Sequence, residues 1–203
     1  LDITFRVYNK ALNASFDGKL EDGTVYATAP EEYTGEPIVK DLSKLGDLRL
    51  NGENTKLTPG TSYDTNFVYS DNTDAGTATF TVKGLNDYAG SEKTFEFTIN
   101  PASVSADDVT VPEKVTYNED YTSGADYAPE VTVIAKNGAT PAKEFTLVEG
   151  TDYTVTYTLE DGTDNVLDDG KNEYGQYVCA HIEIINPNFQ GGTTNEFNKY
   201  SEI

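Results

Sequence analysis

Cys179 and His181 are the chain's only cysteine and only histidine, and they stand two residues apart. On a β-strand, side chains at i and i+2 share a face, about 7 Å apart. A thiolate–imidazole pair would need hydrogen-bond reach and a third group to orient the base. The same two side chains also suit zinc. Val178, Ala180 and Ile182 claim the opposite, core-facing side. The alternation therefore puts Cys179 and His181 on a solvated or half-covered face, where packing is the weightier reading. Gly-x-Ser-x-Gly, P-loop, His-Glu-x-x-His and Gly-x-Gly-x-x-Gly elements are absent from the sequence. No catalytic residue is assigned, and the chain reads as a non-enzyme.

Oxygen donors are far more numerous. Thirty-five Asp and Glu face 14 Lys and Arg, for a net charge of −21. That field repels nucleic acid and anionic membrane surfaces. No apolar run approaches the ~18 residues of a membrane span, so membrane insertion is not expected. Asp161, Asp164, Asp168 and Asp169 gather around Gly162 and Gly170. Hard oxygen ligands in a loop suit Ca²⁺, the cofactor the sequence favours over zinc. Asp71, Asn72 and Asp74 form a second group. Neither run has EF-hand spacing, and Asp and Asn also occur in turns because they hold backbone groups. Tyr121, Tyr127, Tyr174 and Tyr177 are the candidates for a sugar-stacking surface; packing against strands is the competing reading. One cysteine allows no internal disulfide. Leu1 opens the chain without an initiator methionine, so the sequence reads as a fragment or a processed product.

The elements that must position these groups are strands. Leu1, Ile3, Phe5 and Val7 alternate with polar residues. So do Ala78, Phe80 and Val82; Phe95, Phe97 and Ile99; Val131, Val133 and Ala135; and Tyr153, Val155 and Tyr157. Turn pairs punctuate them: Asp22-Gly23, Asn51-Gly52, Pro59-Gly60, Asn137-Gly138 and Asp161-Gly162. Only Val39, Leu42 and Leu45, ending at Gly46, suggest one or two helical turns. Short strands with frequent turns predict an all-β fold of sandwich type.

The chain also repeats itself. Leu57-Thr-Pro-Gly60-Thr61-Ser-Tyr63 returns as Leu147-Val-Glu-Gly150-Thr151-Asp-Tyr153, a period of 90 residues (150 − 60). Asp87-Tyr88-Ala-Gly90 returns as Asn188-Phe189-Gln-Gly191. Two copies follow, residues 1–101 and 102–203, divided at Pro101. Residues 1–20 lack a counterpart and read as an extra strand or the tail of a preceding repeat. The glycines answer a need for positive φ. Tyr63 and Tyr153 are expected to bury their rings and keep the hydroxyls wet. The second copy departs in three ways: a longer hairpin at 158–172, a bulge near Gln176 or Tyr177, and an ending from Phe197 to Ile203 without the Phe-x-Phe-x-Ile-x-Pro of Phe95–Pro101.

Tyr33-Thr-Gly-Glu-Pro37, Leu57-x-x-Gly60-Thr-x-Tyr63, Ala75-Gly-Thr-Ala-x-Phe-x-Val82 and Gly84-x-Asn-Asp-Tyr88-x-Gly90 together resemble a known pattern. It is that of the bacterial immunoglobulin-like tandem repeats, of MBG type, of Gram-positive cell-surface proteins. The resemblance covers about 80 residues of the first copy and less of the second. It implies two tandem immunoglobulin-like β-sandwich domains in an extracellular, cell-surface or wall-attached protein. The implied work is that of a stalk, spacer or adhesin. The implied partners are neighbouring immunoglobulin-like repeats, with host or cell-wall glycan or protein as a ligand of the second domain. Lys10, Lys40 and Lys143 become the lysines to test for a Lys–Asn isopeptide bond. The alternative is a carbohydrate-binding accessory module of a larger secreted enzyme.

Overall fold

The computed structural model describes residues 9–161 and 176–203, without the side chains of Asp161 and Gln176. The alternation at Leu1–Val7 and most of the predicted 158–172 hairpin lie outside the described residues. The fold is all-β. The chain divides into two compact units, Leu1–Asn100 and Pro101–Ile203.

In the first unit, β1 (Ala14–Phe16) pairs antiparallel with β3 (Leu48–Leu50). A second sheet runs in the order β2 (Glu31–Glu32), β6 (Glu92–Asn100), β5 (Gly76–Lys83), β4 (Val68–Ser70). The predicted alternation holds: Ala78, Phe80, Val82, Phe95, Phe97 and Ile99 are all buried. Phe16 from the small sheet meets Phe80 and Phe95 of the larger one, with ring centroids 6.2 and 5.2 Å apart. Leu12, Ala14 and Phe16 are core residues, so the segment before residue 20 supplies a strand of this unit.

In the second unit, one sheet runs β10 (Glu144–Thr146), β9 (Thr132–Lys136), β7 (Ala102–Ser103), β13 (Phe189–Gln190), with β8 (Val109–Thr110) also on β9. The other runs β11 (Tyr153–Asp161), β12 (Gln176–Ile184), β14 (Glu196–Glu202). β14 is the closing strand that the sequence pattern lacked. Phe197, Lys199 and Ser201 lie opposite Ile182, Ala180 and Val178. Ser201 is fully buried, and its hydroxyl donates to the Pro112 carbonyl at 2.6 Å. A satisfied serine thus stands where the pattern looked for an apolar residue. The bulge expected near Gln176 or Tyr177 is also absent: β12 pairs with β11 without interruption from Gln176 to Ile184.

Two local expectations change. Residues 39–45 form no helix; the chain makes a turn at 42–44. Asp41 Oδ1 accepts from the backbone N–H and the hydroxyl of Ser43, an arrangement that competes with helical bonding. Val39 and Leu42 are exposed and only Leu45 is buried. Conversely, a short helix, α1 (Gly124–Tyr127), was not predicted; Asp126 Oδ2 accepts from the Ser123 N–H and hydroxyl at its start.

The Gly60 turn and the Gly150 turn share one geometry. Gly60 N–H donates to the Tyr63 carbonyl at 2.8 Å, and Gly150 N–H to the Tyr153 carbonyl at 2.8 Å. Ser62 N–H reaches the Thr58 carbonyl at 2.7 Å, and Asp152 N–H the Val148 carbonyl at 2.8 Å. The next contact matches too: Leu85 N–H to Ser62 O and Ile185 N–H to Asp152 O, each 2.9 Å. Both glycines are left-handed, with φ of 72° and 77°. Both tyrosine rings are buried. The Tyr153 hydroxyl, expected to be wet, instead donates to the Val131 carbonyl at 3.1 Å.

A Cβ at either glycine meets no atom within 4 Å, so Gly60→Ala and Gly150→Ala isolate the cost of φ alone. Each should destabilise its unit by about 1 kcal/mol, read from urea unfolding, and the two values should agree. Gly84→Ala should cost more, because its Cβ would lie 2.2 Å from the Tyr88 carbonyl oxygen.

Candidate functional site

Cys179 and His181 do sit together on one face of β12, and the sheet register adds neighbours. Thr158 of β11 and Tyr200 of β14 lie opposite Cys179; Thr156 and Asn198 lie opposite His181. Glu160 follows Thr158 on the same face of β11. Directly opposed and diagonal side chains on one face are within reach of each other. Glu160, Cys179 and His181 bring a carboxylate oxygen, a sulfur and a ring nitrogen within 4.8 Å of one another. Cys179 Sγ is 3.8 Å from His181 Nδ1. The Thr158 hydroxyl is 2.8 Å from Nε2, and Asn198 Oδ1 is 2.9 Å from Nδ1.

The sequence expected an open or half-open setting for the cysteine. Cys179 is instead fully buried, while His181 and Glu160 are half-buried. The longer side chains around the thiol cover it. Burial, with the Glu160 charge second, raises its pKa from 9.0 to about 11, against the opposing bond with Tyr200. The group is therefore a thiol at neutral pH, not the thiolate nucleophile a Cys–His enzyme requires. Sequence reasoning missed Glu160, because its membership depends on the register of β11 on β12, which no local pattern announces.

The other candidates separate. Tyr121 is 40% exposed, and its ring meets Tyr127 edge-on, with centroids 4.9 Å and planes 88° apart. Tyr177 is 5% exposed, so on the outward face of its strand it is covered and offers no platform. Tyr174 lies outside the described residues, as do Asp164, Asp168 and Asp169; Asp161 ends β11 without a described side chain. In the second acidic group, Asn72 is committed to structure: its Nδ2 donates to the Ile38 carbonyl at 2.7 Å, and its own carbonyl accepts from Ile38 N–H at 2.7 Å.

Of the three lysines, Lys10 and Lys143 are exposed and Lys40 is buried. Its ammonium donates to the Ala29 carbonyl and to Glu31 Oε1, both at 2.7 Å. It lies over the Tyr26 and Phe97 rings at 4.8 and 4.5 Å. Burial lowers its pKa, and the Glu31 carboxylate opposes that shift.

No protein-family model, curated protein or solved structure matches this chain.

Because Cys179 is the only thiol, Ellman's reagent reads it alone. At pH 7.5 the folded chain should react at least about tenfold more slowly than the same chain in denaturant. Equal rates in the two states would refute a buried, protonated thiol.

Proposed function

We propose that this chain is a non-catalytic structural module: a pair of immunoglobulin-like repeats that space or stiffen an extracellular, surface-attached protein. One observation carries the reading. The turn at Gly60 and the turn at Gly150 share their hydrogen bonds, their left-handed glycine and their buried tyrosine. Residues held in common by both copies do architectural work, and a repeated architectural unit suits a module built to be strung in series. The strong negative charge favours solubility at high local concentration. Among the described residues, no helix is long and apolar enough to cross a membrane. The partners on this reading are neighbouring repeats of the same kind, with a glycan or protein ligand on the second unit.

A carbohydrate-binding module is the second reading, supported by Tyr121. With Tyr117 it borders a groove of about 460 Å³ that Thr116, Asn118 and Glu119 also line. Exposed tyrosines beside amide and carboxylate groups suit a sugar's apolar face and hydroxyls.

Pulling the full chain by its ends separates independent units from one cooperative body. Two unfolding events are expected, each releasing roughly 30 nm of chain, from ~3.3–3.6 Å per residue. A single event releasing the whole contour would overturn the series reading. Antibody labelling of intact producing cells should find the protein at the surface; a signal only after lysis would count against the extracellular assignment. On a glycan array, binding that is lost in Tyr121→Ala would favour the second reading.

A further inference from the structure

We propose that Glu160, Cys179 and His181 form a binding site for a zinc-like divalent cation on the polar face of the β11–β12–β14 sheet. The argument rests on donor type, spacing, the groups around them and a way in.

The donor set is selective. A thiolate with an imidazole and a carboxylate suits Zn²⁺ and its neighbours in the first transition row; Ca²⁺ and Mg²⁺ prefer oxygen alone. The spacing is right. Zinc–ligand distances of about 2.0–2.3 Å put tetrahedral ligands roughly 3.3–3.8 Å apart, and Cys179 Sγ and His181 Nδ1 stand 3.8 Å apart already. The carboxylate oxygen completes a group no wider than 4.8 Å, so small side-chain rotations close the triad.

The surroundings fit as well. Zinc-bound histidines commonly donate their second ring N–H to a neighbour that fixes the tautomer. With Nδ1 on the metal, Nε2–H faces the Thr158 hydroxyl at 2.8 Å. Asn198 Oδ1, 2.9 Å from Nδ1, then stands beside the metal as an oxygen for the fourth position. A cleft of about 350 Å³, lined by Thr154, Thr156, His181, Glu183, Glu196 and Asn198, reaches the histidine from outside. Glu183 and Glu196 face each other across the β12–β14 ladder at its mouth. Two opposed carboxylates in a cleft raise the local concentration of cations. Nothing acidic or basic beyond these groups is needed to balance charge. On binding, the thiol gives its proton to solvent as the S–Zn bond forms. Thiolate, carboxylate and Zn²⁺ then sum to zero, where the carboxylate alone had left −1.

The expected consequence is a clamp that ties β11 to β12 and stabilises the second unit by mass action. Co²⁺ reports it directly. The full chain, stripped with chelator and kept reduced, is titrated with Co²⁺. One equivalent should produce a thiolate-to-cobalt charge-transfer band with tetrahedral visible bands, and Zn²⁺ should bleach both. Cys179→Ser should abolish the charge-transfer band. Glu160→Gln, at a half-buried strand position, and Thr158→Val should each weaken binding about tenfold or more. Asp71→Asn, in the other unit, should leave the titration unchanged. Wild-type protein that takes up Co²⁺ without a sulfur charge-transfer band binds it through surface carboxylates, and the proposal fails. It fails equally if the band survives in Cys179→Ser. Should that variant misfold, the wild-type spectrum still decides.

Discussion

A left-handed glycine whose N–H closes onto the carbonyl of a tyrosine three residues later is the constraint on which each unit is organised. The bond is 2.8 Å long in both units. It fixes where the chain reverses, and so which residue enters the core next. Tyr63 and Tyr153 enter there. The leucine before the turn is tied by its own N–H, Leu57 to the Leu48 carbonyl and Leu147 to the Val133 carbonyl. The residue before the tyrosine accepts a bond from the turn's start through its side chain, Ser62 from Thr58 N–H and Asp152 from Val148 N–H. Each turn is thereby anchored on three sides. The long strands that follow inherit their phase from it, since a slip of one residue would turn every side chain to the wrong face.

In the second unit that phase has a further effect. With Tyr153 fixed inward, Val155, Tyr157 and Leu159 follow on the core face, and Thr154, Thr156, Thr158 and Glu160 are set outward. β12 meets this outward row with Glu183, His181, Cys179 and Tyr177, and β14 meets those in turn with Glu196, Asn198, Tyr200 and Glu202. A sheet that is apolar on one side thus gathers its thiol, its imidazole and several carboxylates on the other. Rigid strands hold these groups, which is the setting in which a constellation keeps its geometry.

Legibility in the sequence followed the contrast between strand faces. Ala78, Phe80 and Val82, and Val178, Ala180, Ile182 and Ile184, were readable because their alternation is strong, and all are buried. β14 was not, because its inward residues are Phe197, Lys199 and Ser201, and the buried serine relies on a hydrogen bond that a hydrophobicity pattern cannot see. The helix suggested by Val39, Leu42 and Leu45 had the spacing but not the backbone, since Asp41 captures the turn. Half of the candidate site was visible as Cys179 and His181. The other half, Glu160 with Thr158, Asn198 and Tyr200, arrives from two other strands. Register between segments far apart in sequence is settled by the whole core, not by any local motif.

The buried polar groups show what such a chain uses besides hydrophobic contact. Only 36% of its residues are hydrophobic, and its charges repel one another. In the first unit the Lys40 ammonium is buried and satisfied by a carbonyl, a carboxylate and two aromatic faces. A buried charge with so complete a set of partners is costly to disturb from either side, because removing one partner leaves the other uncompensated. In the second unit Ser201 does similar work without charge. The outward face of β11–β12–β14 differs. Glu183 opposes Glu196 across a ladder rung, and like charges in that position are unfavourable. Lys114 relieves Glu202 at one end, with 2.8 Å between Nζ and Oε2. Toward Glu183 and Glu196 the opposed carboxylates flank the cleft to His181. A cation held at His181, one step along the same face from Glu183, would lower the repulsion that the register imposes on that rung.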